Sequence, residues 1–417
     1  MASLGVGTLG EEVRRRHMAW HHLPIPDVSV PTAAFERHWS DVGQQLQGIL
    51  RAGFDVLVHC KGELGRAGTI SARLLVELET SPETAVARVK AARSGAIETE
   101  AQRLHVLERS PVPEVIPETS GHAVRSRAIG ALLGPAIGDA VGTTLEFRPR
   151  DSYPKLTDMV GGGPFSLKPG EWTDDTAMAL AFADSLATYS DLDEKDLMGR
   201  FVQWHEHGTY SCTGHCFDIG ITTRQALSRW KKSGDPFAGS TDPMTAGNGS
   251  LMRLAPVAVR HFRDRNRLRD VAARQSRTTH GAAEAVDACV VYAEAITDAI
   301  EGHPRSEVLS ARLTPAAGAI AAIMAGSWRG RSRPAIRASG YVTHSLEASF
   351  WSLGRTASYR DAVLTAANLG ENADTTAAIT GQLAGAIYGL SGISPEWINK
   401  VAWRARIIDA GRESARL

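Results

Sequence analysis

Cysteine is scarce in this chain. Four in 417 residues (Cys60, Cys212, Cys216, Cys289) cannot build a disulfide scaffold, and they fit a reducing compartment. An excess of either charge is also missing: Lys+Arg and Asp+Glu both total 46, so the formal net charge is zero. That balance leaves no electrostatic footprint for nucleic acid or an anionic membrane, and neither is an expected partner. Long hydrophobic runs are absent too. The longest apolar stretch, 313–326, is too short to span a bilayer and is broken by proline and glycine, and the N-terminus has no cleavable apolar region. These absences together predict a cytoplasmic protein. Oligomeric state is not readable from them.

An apolar content of 43% supports ordinary buried cores, and the length suffices for two domains. The boundary is visible as Ser110-Pro111-Val112-Pro113-Glu114-Val115-Ile116-Pro117-Glu118-Thr119-Ser120-Gly121, with three prolines in twelve residues and no helical period. Such a segment reads as a semi-rigid linker, which divides the chain into 1–108, a linker over 109–122, and 123–417.

Before the linker, Val56-Leu57-Val58-His59-Cys60 is a β-branched apolar run ending in a cysteine. A glycine-containing loop, Arg66 and a helical stretch from Gly68 to Glu77 follow it. Backbone N–H groups of 61–66 and the helix N-terminus would face one anion and populate the Cys60 thiolate, while Arg66 would fork two phosphate oxygens. This strand–Cys-x5-Arg–helix order resembles the active-site loop of cysteine-dependent phosphatases, particularly dual-specificity ones. On that resemblance Asp27, in Leu23-Pro24-Ile25-Pro26-Asp27, is the general acid, and Gln102 belongs to the segment that positions the hydrolytic water. The fold implied for 1–108 is an α/β phosphatase-like domain, incomplete at its start. Ala67 stands where a hydroxyl commonly assists thiolate departure, and Glu63 places a negative charge in the anion loop, so the expected phosphatase is weak or vestigial.

After the linker the chain reads as helix after helix, an all-α domain. Glycines recur at 130, 134, 138 and 142 and again at 381, 385 and 389, a density that costs helix stability and predicts close helix packing. Gly170-Glu171-Trp172-Thr173-Asp174-Asp175-Thr176 places a hydroxyl and two carboxylates at a helix start, with Thr173 as the expected cap. Asn368-Leu369-Gly370-Glu371-Asn372-Ala373-Asp374-Thr375-Thr376 repeats the arrangement before a helix over 377–388, and Glu146 is a third acidic candidate. Hard oxygen donors of this kind suit Mg²⁺ or Mn²⁺ rather than zinc. Cys212-x2-His215-Cys216 lacks the second ligand pair of a zinc knuckle.

Five motifs carry a second resemblance: Gly138-Asp139-Ala140-x-Gly142-x-x-x-Glu146, Trp172-Thr173-Asp174-Asp175-Thr176, Ser211-x-Thr213-Gly214-His215-Cys216-Phe217-Asp218-Ile219-Gly220, Asn248-Gly249-Ser250-Leu251-Met252-Arg253-Leu254-Ala255-Pro256 and Ala373-Asp374-Thr375-Thr376-Ala377. In their order from about Val124 onward they resemble the ADP-ribosylglycohydrolase family, of the dinitrogenase reductase-activating type. The resemblance implies an all-helical fold, two Mg²⁺ or Mn²⁺ ions, and hydrolysis of a glycosidic bond to ADP-ribose on a protein or other derivative. It assigns metal binding to Glu146, Thr173, Asp174, Asp175, Asn372, Asp374 and Thr375. Catalysis is expected of Glu146, Asp174 and Asp175. Substrate contact falls to Asp218, which would receive the group attached to ADP-ribose, to the Gly247-Asn248-Gly249-Ser250 turn and to His280. Asn372 departs from the aspartate usual at its position, and an amide oxygen brings no charge to a metal.

Three functions follow as expectations. The first is a hydrolase that removes ADP-ribose from protein side chains, arginine foremost. The second is a bifunctional enzyme that also releases phosphate through Cys60. The third is a non-catalytic ADP-ribose-binding module.

Overall fold

The computed structural model describes residues 5–62, 64–189, 191–311, 314–316 and 318–414. Two units divide at the proline-rich segment, Met1–Val115 and Ile116–Leu417.

The first unit holds α1 (Leu9–Arg15), α2 (Ala33–Arg51), α3 (Gly65–Glu77), α4 (Pro82–Ala92) and α5 (Glu100–Leu107). Local chemistry explains several of these boundaries. Thr32 accepts from the Phe35 N–H to start α2, Ser81 and Pro82 start α4, and Thr99 and Gln102 form a reciprocal capping box on α5. Phe35, Trp39, Ile70 and Leu74 form one apolar cluster; Ala72, Val76, Ala85, Ile97 and Val106 form another. Between α2 and α3 lies a buried charged network. Arg73 donates to Glu77 at 2.7 Å and forks the Glu36 carboxylate at 2.7 and 2.8 Å, while Trp39 and Gln47 also donate to Glu77.

The expected α/β architecture of this unit is not what forms. Among the described residues it has no strand, and the isolated β-bridges all lie in the second unit. Val56 to Cys60 alternates between half-buried and exposed side chains as an edge strand would, with Leu57 89% exposed, but no neighbouring strand pairs with it. The chain before it folds into helices, so its backbone has no ladder to join.

The second unit continues with α6 (Gly121–Gly142), α7 (Asp174–Thr188), α8 (Glu194–His207), α9 (Ile221–Ser233), α10 (Ala255–His261), α11 (Arg265–Thr279) and α12 (Ala283–Glu301). Then come α13 (Arg305–Val308), α14 (Gly318–Met324), α15 (Val342–Gly354), α16 (Tyr359–Ala367), α17 (Ala373–Tyr388), α18 (Pro395–Lys400) and α19 (Arg404–Ser414). Helices α6 and α17 are the centre of the unit. Their backbones touch along the glycine ladder: a Cβ on Gly134 would stand 2.2 Å from the Gly381 carbonyl oxygen, and one on Gly381 would stand 2.4 Å from that of Gly134. The segment Gly121–Leu145 is long and apolar enough to cross a membrane by length and composition, and 94% of its most apolar window is buried inside the protein. Because α6 and α17 run in contact, the residues at the end of one and the start of the other meet. That junction also receives the start of α7.

Candidate active site

The first acidic pair owes its place to a residue on another helix. Asp139, wholly buried near the end of α6, accepts from the Thr173 N–H at 2.9 Å and the Thr173 hydroxyl at 2.9 Å. It also accepts from the Thr176 N–H at 3.1 Å and the Thr176 hydroxyl at 2.6 Å. Thr173 occupies the N-cap position of α7 but its side chain makes no capping bond. The expected cap is thus supplied by Asp139, which leaves the Thr173 oxygen facing Asp175 Oδ2 at 3.3 Å and Asp374 Oδ2 at 3.5 Å.

Glu146 reaches the same place from the turn after α6. Its two oxygens accept from Asn372 Nδ2 at 2.9 Å and the Asp374 N–H at 3.2 Å. Phe147 and Glu371, each the chain neighbour of a site residue, adopt left-handed φ of +60°, and the backbone bonds Phe147 N–H to Glu371 O and Glu371 N–H to Arg148 O lock the two segments together. Strain of this kind persists where surrounding structure over-determines it. Asp218 is a third left-handed residue. The Thr375 hydroxyl completes the inner set at 3.3 Å from both Asp175 Oδ2 and Asp374 Oδ1.

The electrostatics are those of crowded acid without a cation. Among the described residues no lysine or arginine pairs with Glu146, Asp174, Asp175, Asp218 or Asp374. Burial first, then repulsion from Asp374, pushes the Glu146 carboxyl up to about 11. Asp218 rises to about 11 for the same two reasons. Asp174 and Asp175 are raised well above the usual range, chiefly by burial and then by their acidic neighbours. Asp139 is lifted by burial, then by Asp374, to about 7 while the hydrogen bonds from the Thr176 hydroxyl and from the Thr173 N–H and hydroxyl pull the other way. Oxygens of Asp139, Asp175 and Asp374 lie within 4.8 Å of one another, and Asp175 Oδ1 is buried with no hydrogen-bond partner. A divalent cation would satisfy that orphaned atom and relieve the repulsion. Asp139 is already saturated by four donors and is better placed to hold the ligands than to be one.

The remaining expected residues fall around this centre. Asn248 donates to Asn372 Oδ1 at 2.7 Å, so the Gly247–Ser250 turn is tied to the acidic cluster. Gly247 and Gly249 pack against the ring of His280, which is buried. Ser250 instead points inward to the Ser276 hydroxyl at 2.9 Å. Cys212 clasps the backbone of Trp172, and burial lifts the Cys212 and Cys216 thiols to about 12. Trp172 itself is core, bonded to the Ala402 carbonyl and set edge-on against Trp403.

The first unit does not assemble the anion cradle expected of it. Arg66 spends its fork on Asp27 at 2.9 Å and on the Ile25 carbonyl at 3.3 Å. Cys60 is half-buried with its sulfur 4.0 Å from the Leu64 carbonyl, and Gln102 is consumed by the cap of α5 and by the Ser29 carbonyl. Glu63 lies outside the described residues. Among the described residues no sheet holds Cys60 in line with the helix start, and Arg66 and Gln102 are engaged by internal partners instead.

Two residues that sequence reasoning passed over matter here: Asp139 and Arg253. Each is a lone charge inside an otherwise apolar or small-residue run, and a charge that burial cannot avoid has a specific partner.

An ADP-ribosylglycohydrolase family model matches residues 120–416. The chain is 47% identical over 289 residues to an ADP-ribosylarginine hydrolase of Pseudomonas putida (strain GB-1), covering 69% of this chain and 77% of that protein. It is 44% identical over 295 residues to an ADP-ribosylarginine hydrolase of Serratia proteamaculans (strain 568), covering 71% and 80%. Identity to the ADP-ribosyl-[dinitrogen reductase] glycohydrolase of Rhodospirillum rubrum is 30% over 286 residues, covering 68% and 92%. A solved structure described as an ADP-ribosylglycohydrolase-related protein complex superposes with a TM-score of 0.63 at 36% identity, over 70% of this chain and 98% of that one.

Proposed function

The chain belongs to the ADP-ribosylglycohydrolase family and is a glycosidic-bond hydrolase, and from that premise we propose that it removes ADP-ribose from ADP-ribosylated arginine side chains of proteins. The carrying observation is the uncompensated cluster of the buried Glu146, Asp174, Asp175 and Asp374 with the half-buried Asp218, and an orphaned oxygen on Asp175.

The donor set is all oxygen, from carboxylates and threonine hydroxyls, which fits Mg²⁺ or Mn²⁺. Glu146, Thr173, Asp174, Asp175, Asp374 and Thr375 would hold two such ions, with Asn372 able to add only an amide oxygen. When bound, the ions would supply Lewis acidity for the ribose hydroxyls and an acidified water.

The chain's own residues do the rest. Asp218 accepts paired N–H groups of the substituted guanidinium and orients the bond to be cut. Glu146, held by Asn372 and the Asp374 backbone, is the base that takes a proton from the attacking water. Water adds at the ribose C1″, the C1″–N bond breaks, and the departing guanidino nitrogen takes up a proton. Free ADP-ribose and unmodified arginine are the products.

The test is release of ADP-ribose from arginine-ADP-ribosylated protein with Mg²⁺ or Mn²⁺. The wild type releases it, Asp174→Ala abolishes release, and Cys60→Ser leaves it intact. Turnover that survives Asp174→Ala would remove the acidic cluster from the mechanism.

A further inference from the structure

Arg253 is fully buried, among the described residues no carboxylate pairs with it, and its Nη1 has no hydrogen-bond partner. Its guanidinium lies over the Phe201 ring at 4.6 Å. Nε donates to Gln275 Oε1 at 3.0 Å; Nη2 donates to the Gln275 carbonyl at 3.0 Å, to Thr278 Oγ1 at 3.3 Å and to Thr279 Oγ1 at 2.9 Å. A guanidinium only donates, so Thr279 Oγ1 is an acceptor toward it. The hydroxyl proton of Thr279 then needs an acceptor of its own. Among the described residues the one in reach is His280 Nδ1, at 2.8 Å.

An Nδ1 that accepts leaves the ring proton on Nε2. His280 is 2% exposed, and burial with the nearby Arg253 charge lowers its pKa to about 3, so the ring stays neutral at working pH. Nε2 has no partner among the described residues. It sits against the turn over 247–249: a Cβ on Gly247 would be 3.2 Å from Nε2, and one on Gly249 would be 2.7 Å from Cε1 and 3.1 Å from Nε2. These glycines therefore make room for the imidazole. Asn248, between them, is bonded to Asn372 of the acidic cluster. An imidazole N–H that no protein group accepts, set against the turn beside the reacting centre, is free to donate to a ligand oxygen.

We infer that Arg253 and Thr279 are positioning residues that fix His280 as the Nε2–H tautomer, presenting a neutral hydrogen-bond donor to a phosphate or ribose oxygen of bound ADP-ribose. The relay is read from the geometry alone; the identity of the ligand rests on the proposed function. Arginine supplies the polarity of the chain because it cannot reverse, whereas a hydroxyl or amide in its place could.

The experiment is a long-range ¹H–¹⁵N correlation on the full chain with labelled histidine, His280 being assigned by His280→Gln. The wild type and Thr279→Ser show protonated Nε2 and unprotonated Nδ1. Thr279→Val, isosteric and leaving Arg253 Nη2 its bonds to Gln275 and Thr278, shows a mixture of tautomers. ADP-ribose affinity weakens about tenfold in Thr279→Val and recovers in Thr279→Ser, with KM for the modified protein rising more than kcat falls. A wild-type ring protonated on Nδ1, which needs no variant to observe, overturns the relay. So does an unchanged tautomer in Thr279→Val. A lost tautomer with unweakened ADP-ribose binding overturns the ligand assignment. If the tautomer and ADP-ribose affinity behave as stated while no ADP-ribose is released from arginine, the hydrolase reading fails and the relay stands.

Discussion

Asn248 donates its side-chain N–H to Asn372 Oδ1 at 2.7 Å, and Asn372 in turn donates to Glu146 Oε1 at 2.9 Å. The amide at 372 is therefore a two-way connector. Its oxygen is committed to the substrate turn and its nitrogen to the acid on α6's following turn. A carboxylate at 372 would keep the first bond and lose the second, setting two oxygens face to face.

Asn372→Asp is accordingly expected to destabilise the metal-free protein by about 1–3 kcal/mol, the cost of leaving a buried carboxylate without its donor. The sign reverses with metal, because the new charge adds to the affinity for a divalent ion. Thermal unfolding in chelator and in Mn²⁺ checks both halves. A variant as stable as wild type in chelator would show that the 372–146 bond contributes little.

Asp139→Asn replaces an acceptor of four hydrogen bonds with a group whose nitrogen confronts an N–H or hydroxyl. A loss of about 2–3 kcal/mol is expected, comparable to removing charge-assisted bonds together with a helix cap. ADP-ribose release should fall with it, since Thr173 and Asp175 are aimed by that cap. Chemical denaturation alongside single-turnover release separates the two effects.

Stability of the metal-free protein should fall as pH rises. Glu146, Asp174, Asp175 and Asp218 all have folded pKa values raised above their unfolded ones. Between the unfolded carboxylate range and the raised values, the native state binds more protons than the unfolded state, so unfolding becomes easier with each step up in pH. The raised groups favour the fold least at alkaline pH. A saturating divalent ion takes the place of those protons, so its stabilisation should be greater at pH 8 than at pH 6. Midpoints in chelator and in Mn²⁺ at the two pH values measure this directly, and an effect of chelator that is equal at both would contradict it.

Gly134→Ala brings a methyl group to 2.2 Å from the Gly381 carbonyl oxygen, a backbone atom with little freedom to yield. Despite the gain in helix propensity, a net loss of at least about 2 kcal/mol is expected. Because α6 leads into the turn that holds Glu146 and α17 carries Asp374, activity per folded molecule should drop as the helices part. Urea unfolding with metal titration distinguishes that from simple instability.

Much of the glycohydrolase half is legible in the chain. The helix start at Thr173, the glycine ladders and the three acidic segments announce themselves through local chemistry: carboxylates at helix N-termini, small residues at fixed helical spacing, hard oxygen donors in clusters. The helix read over 377–388 starts four residues earlier, at Ala373, so that Asp374 and Thr375 lie within its first turn. Tertiary structure decided what local patterns do not encode. It gave the cap of α7 to Asp139, 34 residues upstream of Thr173, because hydrogen-bond acceptors are chosen by distance in space. It turned Ser250 inward, and it made Gly247 and Gly249 seats for His280. In the first unit it overruled the pattern altogether. A β-branched run becomes a strand only when another strand offers it a ladder, and Arg66 binds a phosphate only when Asp27 does not already hold its fork.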